Sequence, residues 1–208
     1  MAQRSLGQQQ KREAVLRAAM EIFAERGYQG ATVEEIARRA GVAKGTPYLY
    51  FSDKADLFYA VFNKWSGDIL NGSMQALAGV ESAGQRLLVL ALSAVAYMKA
   101  NRECFPLSLE IWAASTTPAL RERFAAALKQ IYAGYRREAT AIIRAGQAAG
   151  ELRAEIDAGA LAAVLTGAVD GLFLQCWFDP KLNAEKLVRG FFAALLPGIV
   201  APKRSRKA

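Results

Sequence analysis

The chain has 208 residues, 53% of them hydrophobic and 22% charged, with a net charge of +8. That suffices for one large domain, or for a small domain joined to a larger one, with an ordinary globular core. Histidine is absent, and the two cysteines, Cys104 and Cys176, lie far apart, which excludes imidazole-built metal sites and Ser-His or Cys-His catalytic pairs and implies no cofactor.

Almost every segment has helical periodicity. Val15, Ala19, Ile22 and Phe23 recur at a spacing near 3.6, and Gly27 and Gly30 then break the run. Thr32-Val33-Glu34-Glu35 is a capping box that opens a short helix with Val33, Ile36, Ala37 and Ala40 on its apolar stripe, and Gly41 stops it. A third short helix is expected from about Ala43 to Phe51. In it Pro47 and Phe51 share one face, while Lys44, Gly45 and Tyr48 share the other. A proline this early removes an N–H that is largely unpaired anyway, so the cost to the helix is expected to be small. Asp53 and Asp56 then cap a long helix from about Lys54 to Leu77.

Five more helices are expected, at about 84–101, 104–115, 117–149, 157–178 and 183–197. Thr117-Pro118, Asp157 and Asn183 are their starting signals, and Gly150, Asp179-Pro180 and Pro197 their ends. No hairpin-like strand pairs and no internal repeats are present. The fold class is therefore all-α, with about nine helices. The run from Ala158 to Phe178 is long enough to span a bilayer, but Asp170 and Gln175 inside it argue against a membrane partner.

Charge is concentrated at the ends. Residues 1–54 carry nine Lys/Arg against six Asp/Glu, residues 55–202 are close to neutral, and Lys203, Arg204, Arg206 and Lys207 form a basic tail at 203–208. A basic N-terminal region suits phosphate, and the tail reads as a solvated end. Residues 1–13 are polar and basic with no apolar run behind them, so no secretory signal is expected. Low cysteine use fits the cytoplasm.

The informative stretch is Thr32–Phe51, TVEEIARRAGVAKGTPYLYF. Two short helices around a glycine turn have helix-turn-helix dimensions. The second would present Lys44, Gly45 and Tyr48 to base edges and phosphates in the major groove, with Thr32 adding a phosphate contact. The ordered run FAERGYxGATVEEIARRAGVAKGTxYxYF, followed by Lys54 and Leu57-Phe58, resembles the N-terminal domain of the TetR family. The family usually has Leu or Ile where this chain has Pro47.

The resemblance implies that Thr32, Ala43, Lys44, Gly45, Thr46, Tyr48, Tyr50 and Lys54 lie at or near DNA, with Tyr50 and Lys54 on phosphate. It also implies a helix-turn-helix domain at 1–52 (motif 32–51) and a helical ligand-sensing and dimerisation domain at 53–202. The expected partners are a double-stranded DNA operator, a small-molecule effector and a second copy of the chain. Ala163, Gly167 and Gly171 on one helix, and Leu187, Phe191 and Leu195 beside Phe192 on the next, are candidates for the homodimer interface.

Tyr97, Met98, Phe105, Leu109, Trp112, Phe124, Tyr132, Tyr135, Phe173 and Trp177 are candidates to line an effector pocket. Packing in the core competes for every one of them. Glu110 and Asp170 are acids within apolar stretches. Either would favour a cationic or hydroxyl-bearing ligand if it faced the cavity. The expected function is that of a ligand-responsive transcriptional regulator, by family default a repressor released from its operator by a small molecule. The rivals are a ligand carrier with no DNA role and an enzyme, and no catalytic constellation in the sequence speaks for the latter.

Overall fold

The structure, a computed structural model, describes residues 2–118 and 121–202. The basic tail at 203–208 lies outside the described residues. Among these residues the protein is all-α, with no strand. Its helices are α1 (Ala2–Gly30), α2 (Val33–Arg39), α3 (Lys54–Ala76), α4 (Ala83–Ala100), α5 (Phe105–Ala114), α6 (Arg121–Ala148), α7 (Ala158–Phe178) and α8 (Ala184–Ile199). Two 3-10 turns, Pro47–Leu49 and Arg102–Cys104, complete it.

The chain forms two compact units. The first is Met1–Gly67 with Asn101–Leu128, and the second is Asp68–Ala100 with Lys129–Ala208. This division differs from the boundary expected near residue 52. The first part of α3, the whole of α5 and the start of α6 pack with the N-terminal helices.

The first unit is built on α1. Val15, Ala19, Ile22 and Phe23 are buried, together with Val33, Ile36 and Ala37 of α2 and Leu57, Phe58 and Val61 of α3. Phe58 meets Phe23 edge-on at 4.8 Å and Tyr28 at 4.9 Å. At Gly27 the backbone turns to φ +69°, ψ 174°, which breaks α1 as the sequence predicts. The Tyr28 N–H freed by this break donates to the Glu110 carboxylate of α5 at 2.5 Å.

The signals around α2 act as expected. Thr32 Oγ1 accepts the Glu35 N–H at 3.2 Å, and the Thr32 hydroxyl donates to the Glu35 carboxylate at 3.0 Å. Gly41, at φ +68°, ends the helix. Val42 N–H bonds Ala37 C=O and Gly41 N–H bonds Arg38 C=O, the paired closure of a Schellman motif.

The third helix is corrected. An α-helix from Ala43 needs an N–H on residue 47 for the Ala43 carbonyl, and Pro47 has none and crowds that carbonyl. The carbonyl instead takes the Thr46 N–H at 2.8 Å, and Leu49 N–H closes on Thr46 C=O at 3.1 Å. The segment is thus a tight 3-10 turn with i to i+3 bonding.

The Thr117 carbonyl takes the Arg121 N–H, and the Thr117 hydroxyl donates to the Ala114 carbonyl; residues 119–120, on which the N–H partners of the expected cap fall, lie outside the described residues. One further boundary shifts. Pro197 does not end α8, which runs on to Ile199 because a proline one turn from the end costs few bonds and the Ile199 side chain is buried. Asp157 and Asn183 cap α7 and α8 as predicted.

The core of the second unit joins Leu87, Ala91 and Val95 of α4, Ala139, Ile142 and Ile143 of α6, Ala162 and Leu165 of α7, and Val188 and Phe192 of α8. Phe192, expected on the interface stripe, faces this core.

A Cβ on residue 27 would lie 2.4 Å from Glu110 Oε1, in a backbone region reserved for glycine. Gly27→Ala therefore lowers unfolding free energy by about 1–3 kcal/mol, measured by urea titration. Adding Glu110→Ala relieves the collision but leaves the backbone strain, so stability stays below wild type.

Candidate nucleic-acid interface and effector region

The helix-turn-helix is two-sided in the way its sequence suggests. Pro47 and Phe51 are buried and anchor the turn to the core of the first unit. Ala43, Lys44, Gly45 and Tyr48 are exposed, while Thr46 and Tyr50 are half-buried. Thr32 is exposed at the start of α2. Lys44 makes an exposed ion pair with Glu34 at 3.1 Å, a contact of little energetic weight that a competing anion can replace. The Glu34 carboxyl lies below its usual range, held there first by its own backbone N–H and then by Lys44.

Lys54 is placed differently from the other candidates. Its ammonium donates to the carbonyls of Tyr28 at 2.8 Å and Ala31 at 3.1 Å, and it lies 4.5 Å from the centre of the Tyr28 ring. It thus satisfies the open carbonyls at the end of α1 and pins α3 to them.

Two features of this surface have no local signal in the sequence. Leu49, beside Tyr48, is 78% exposed, more than any other large hydrophobic residue among the described residues, against 51% for Tyr48. The start of α3 is also locked from two directions. Asp56 accepts the Ser52 N–H at 2.9 Å and pairs with Arg123 of α6, whose guanidinium lies over the Tyr59 ring at 4.5 Å. The Ser52 N–H first, and Arg123 with it, hold the Asp56 carboxyl below its ordinary value.

The ten aromatic and aliphatic candidates for the effector pocket divide between the units. Phe105, Leu109, Trp112 and Phe124 belong to the first. Phe124 is fully buried against Phe58 and Tyr59, at 5.7 and 5.9 Å, and is core packing. Phe105 is also buried, while Leu109 and Trp112 are half-buried. Trp65 of α3, not foreseen, is buried with its indole N–H lacking an acceptor among the described residues.

In the second unit Met98 is buried, and Tyr97, Tyr132, Tyr135, Phe173 and Trp177 are half-buried. Asp170 of α7 joins the tyrosines. Burial raises its carboxyl above the usual range, and a hydrogen bond with Tyr132 partly offsets this. Burial also raises the Tyr135 phenol, with the Asp170 carboxylate and then Tyr97 adding to the effect. An acid and three phenols from α4, α6 and α7 thus form a polar cluster within an apolar unit. Glu110 is not part of it, being committed to Tyr28 N–H.

The interface candidates on α7 and α8 separate by exposure. Ala163 and Gly167 are exposed and Gly171 is half-buried, and a Cβ at either glycine would meet nothing. Leu187 and Phe191 are exposed, whereas Leu195 is partly buried against the core. Val164 and Phe178 add 67% and 73% exposed apolar side chains. The apolar α7 is long enough to cross a membrane, yet only 11% of its most apolar stretch is buried.

A helix-turn-helix followed by a larger helical region is the architecture of a ligand-responsive, DNA-binding transcriptional regulator. A family profile described as "Bacterial regulatory proteins, tetR family" matches residues 15–61, and one described as "BetI-type transcriptional repressor, C-terminal" matches residues 84–197. The chain belongs to the TetR family of transcriptional regulators.

It is 26% identical over 187 residues to the fatty acid metabolism regulator protein of Bacillus subtilis (strain 168), covering 89% of this chain and 93% of that one. It is 30% identical over 172 residues to the transcriptional regulator AcuR of Cereibacter sphaeroides, covering 78% and 74%. Among solved structures, FadR from Bacillus subtilis in complex with stearoyl-CoA superposes with a TM-score of 0.73 at 24% identity, covering 90% of this chain and 98% of that one. A putative transcriptional regulator from Saccharomonospora viridis in complex with choline gives 0.73 at 23%, covering 92% and 98%. At these identities the two structures speak for the fold.

Burial, and then the neighbouring Glu103, pushes the Cys104 thiol up to about 11. It therefore stays protonated at pH 8 and is a poor nucleophile. Peptide mapping after brief iodoacetamide treatment of the native protein at pH 8 finds Cys104 unmodified, and modification appears only on unfolding.

Proposed function

We propose that this protein is a cytoplasmic, homodimeric repressor without catalytic activity that a small molecule releases from its operator. The observation that carries the DNA reading is the sidedness of the helix-turn-helix. Pro47 and Phe51 anchor it, and every outward position from Ala43 to Tyr48 is small, basic or capable of hydrogen bonding. Residues 1–52 form the DNA-reading domain in this proposal, and 53–202 the sensing and dimerisation domain. Lys44, Gly45 and Tyr48 approach base edges, with Thr32, Ala43, Thr46 and Tyr50 at the backbone. Lys54 serves this surface by holding α3 against the end of α1, its ammonium being engaged by carbonyls.

The dimer reading rests on α7 and α8. An apolar helix with so little of itself covered needs a partner surface. Small residues at Ala163, Gly167 and Gly171 permit close helix approach, and Leu187 and Phe191 extend the patch. A bilayer is a poorer occupant because Asp170 would have to enter it. Two copies joined through α7 and α8 make a four-helix interface and present two reading turns to successive major grooves.

For the effector, Asp170 with Tyr97, Tyr132 and Tyr135 supports a largely apolar molecule bearing a cationic or hydroxyl group. The Saccharomonospora viridis protein, a relative in fold, is in complex with choline, which carries a cationic and a hydroxyl group. Release follows if the effector binds better to a form whose two turns are wrongly spaced for the operator.

Fluorescence anisotropy on a duplex from upstream of the protein's own gene, with unrelated competitor DNA at two salt concentrations, tests the DNA reading. Binding that survives competitor and falls at least tenfold in Lys44→Ala/Tyr48→Ala is expected. Weak binding that unrelated competitor removes, and that the double substitution does not change, leaves the carrier reading in its place. Sedimentation velocity tests the assembly: the wild type runs as a dimer, and Leu187→Glu/Phe191→Glu runs as a folded monomer with at least tenfold weaker operator binding.

A further inference from the structure

We infer that Leu49 is a specificity-determining residue of the reading turn, its side chain meeting a thymine C5-methyl group in the major groove. The inference rests on the proposed DNA-facing role of the Ala43–Tyr50 segment. Leu49 is the outermost apolar group of that segment at 78% exposure, and it stands beside Tyr48 at 51%. The frame beneath it is rigid. Pro47 has a fixed φ, its side chain and that of Phe51 are buried, and the Leu49 N–H is bonded to Thr46 C=O at 3.1 Å. The side chain is therefore held outward by the turn, and binding costs little further ordering.

Leucine has no donor or acceptor, so it adds nothing at a phosphate oxygen or a polar base edge. In the major groove the apolar feature that differs between base pairs is the thymine methyl. The surroundings favour a nucleic-acid occupant. Lys44 is the only charged residue between Gly41 and Tyr50, so the turn itself contributes a cation, and the carboxylate beside it is that of Glu34 in α2, an exposed partner at 3.1 Å that a phosphate can replace. With Lys44 suited to guanine or phosphate and Leu49 suited to thymine, the turn reads a mixed step rather than a run of G·C pairs.

The test uses the full-length protein and an operator chosen by binding selection from random duplexes. Each thymine is replaced in turn by deoxyuridine, which removes only the methyl group, and affinity is read by anisotropy. For wild type, one position per half-site loses about fourfold, the weight of one buried methyl. Leu49→Ala binds the thymine and uracil duplexes equally at that position and keeps the wild-type affinity for the uracil duplex within about twofold. Its circular dichroism is unchanged, since the side chain supports no packing.

The proposal is overturned if no thymine is methyl-sensitive, or if Leu49→Ala keeps the full thymine-to-uracil ratio. It is equally overturned if the substitution changes oligomeric state in place of base preference. Failure of the underlying reading has its own signature: Lys44→Ala/Tyr48→Ala then leaves operator affinity intact. Failure of the Leu49 assignment alone leaves the effect of that double substitution in place.

Discussion

The end of α1 bears the organisation of the first unit. Gly27 takes a backbone conformation closed to other residues, and this exposes one N–H and several carbonyls at a place where water is partly excluded. Each is answered by a charged side chain from elsewhere in the chain. Glu110 takes the Tyr28 N–H, and Lys54 takes the carbonyls of Tyr28 and Ala31. A buried polar group without a partner costs roughly 1–3 kcal/mol, so the break is tolerable only with both partners present. The same two side chains set the position of α3 and α5 against α1, and the Tyr28 ring closes the gap against Phe23 and Phe58. The reading turn lies between these supports. Its anchor, Phe51, is followed at once by Ser52 and Asp53, whose bonds to Asp56 start α3.

What was legible in the sequence was local. Thr32 with Glu35, Gly41, Asp157 and Asn183 each satisfy groups within four residues of themselves, and each acts as its pattern implies. The sidedness of Lys44, Gly45 and Tyr48 against Pro47 and Phe51 also survives, because a 3-10 turn and a helical turn divide so short a segment in nearly the same way. The turn type differs from the expected helix. The N–H that Pro47 lacks costs a helix little so near its start, but the proline ring crowds the Ala43 carbonyl, and that carbonyl decides between the two geometries.

What was not legible was long-range. Nothing near Lys54 in sequence reveals that its ammonium meets carbonyls 23 to 26 residues earlier, and Glu110 is 82 residues from Tyr28. Periodicity was also ambiguous where a helix is apolar on several faces. In α8, Val188 and Phe192 turn inward while Leu187 and Phe191 turn outward, and hydrophobicity alone does not rank the two stripes. Phe124 shows the same limit for aromatics, since size and character suit core and cavity equally.

The support of the reading turn has an evolutionary consequence. Its shape comes from backbone hydrogen bonds, one proline ring and one buried phenylalanine, while the side chains of Lys44, Tyr48 and Leu49 project into solvent. Surface positions of this kind change with stability effects usually within about 0.5 kcal/mol. The residues that face outward are therefore nearly uncoupled from those that keep the domain folded. Copies of such a gene can diverge in the sequences they recognise through single substitutions, without first acquiring a stabilising change elsewhere.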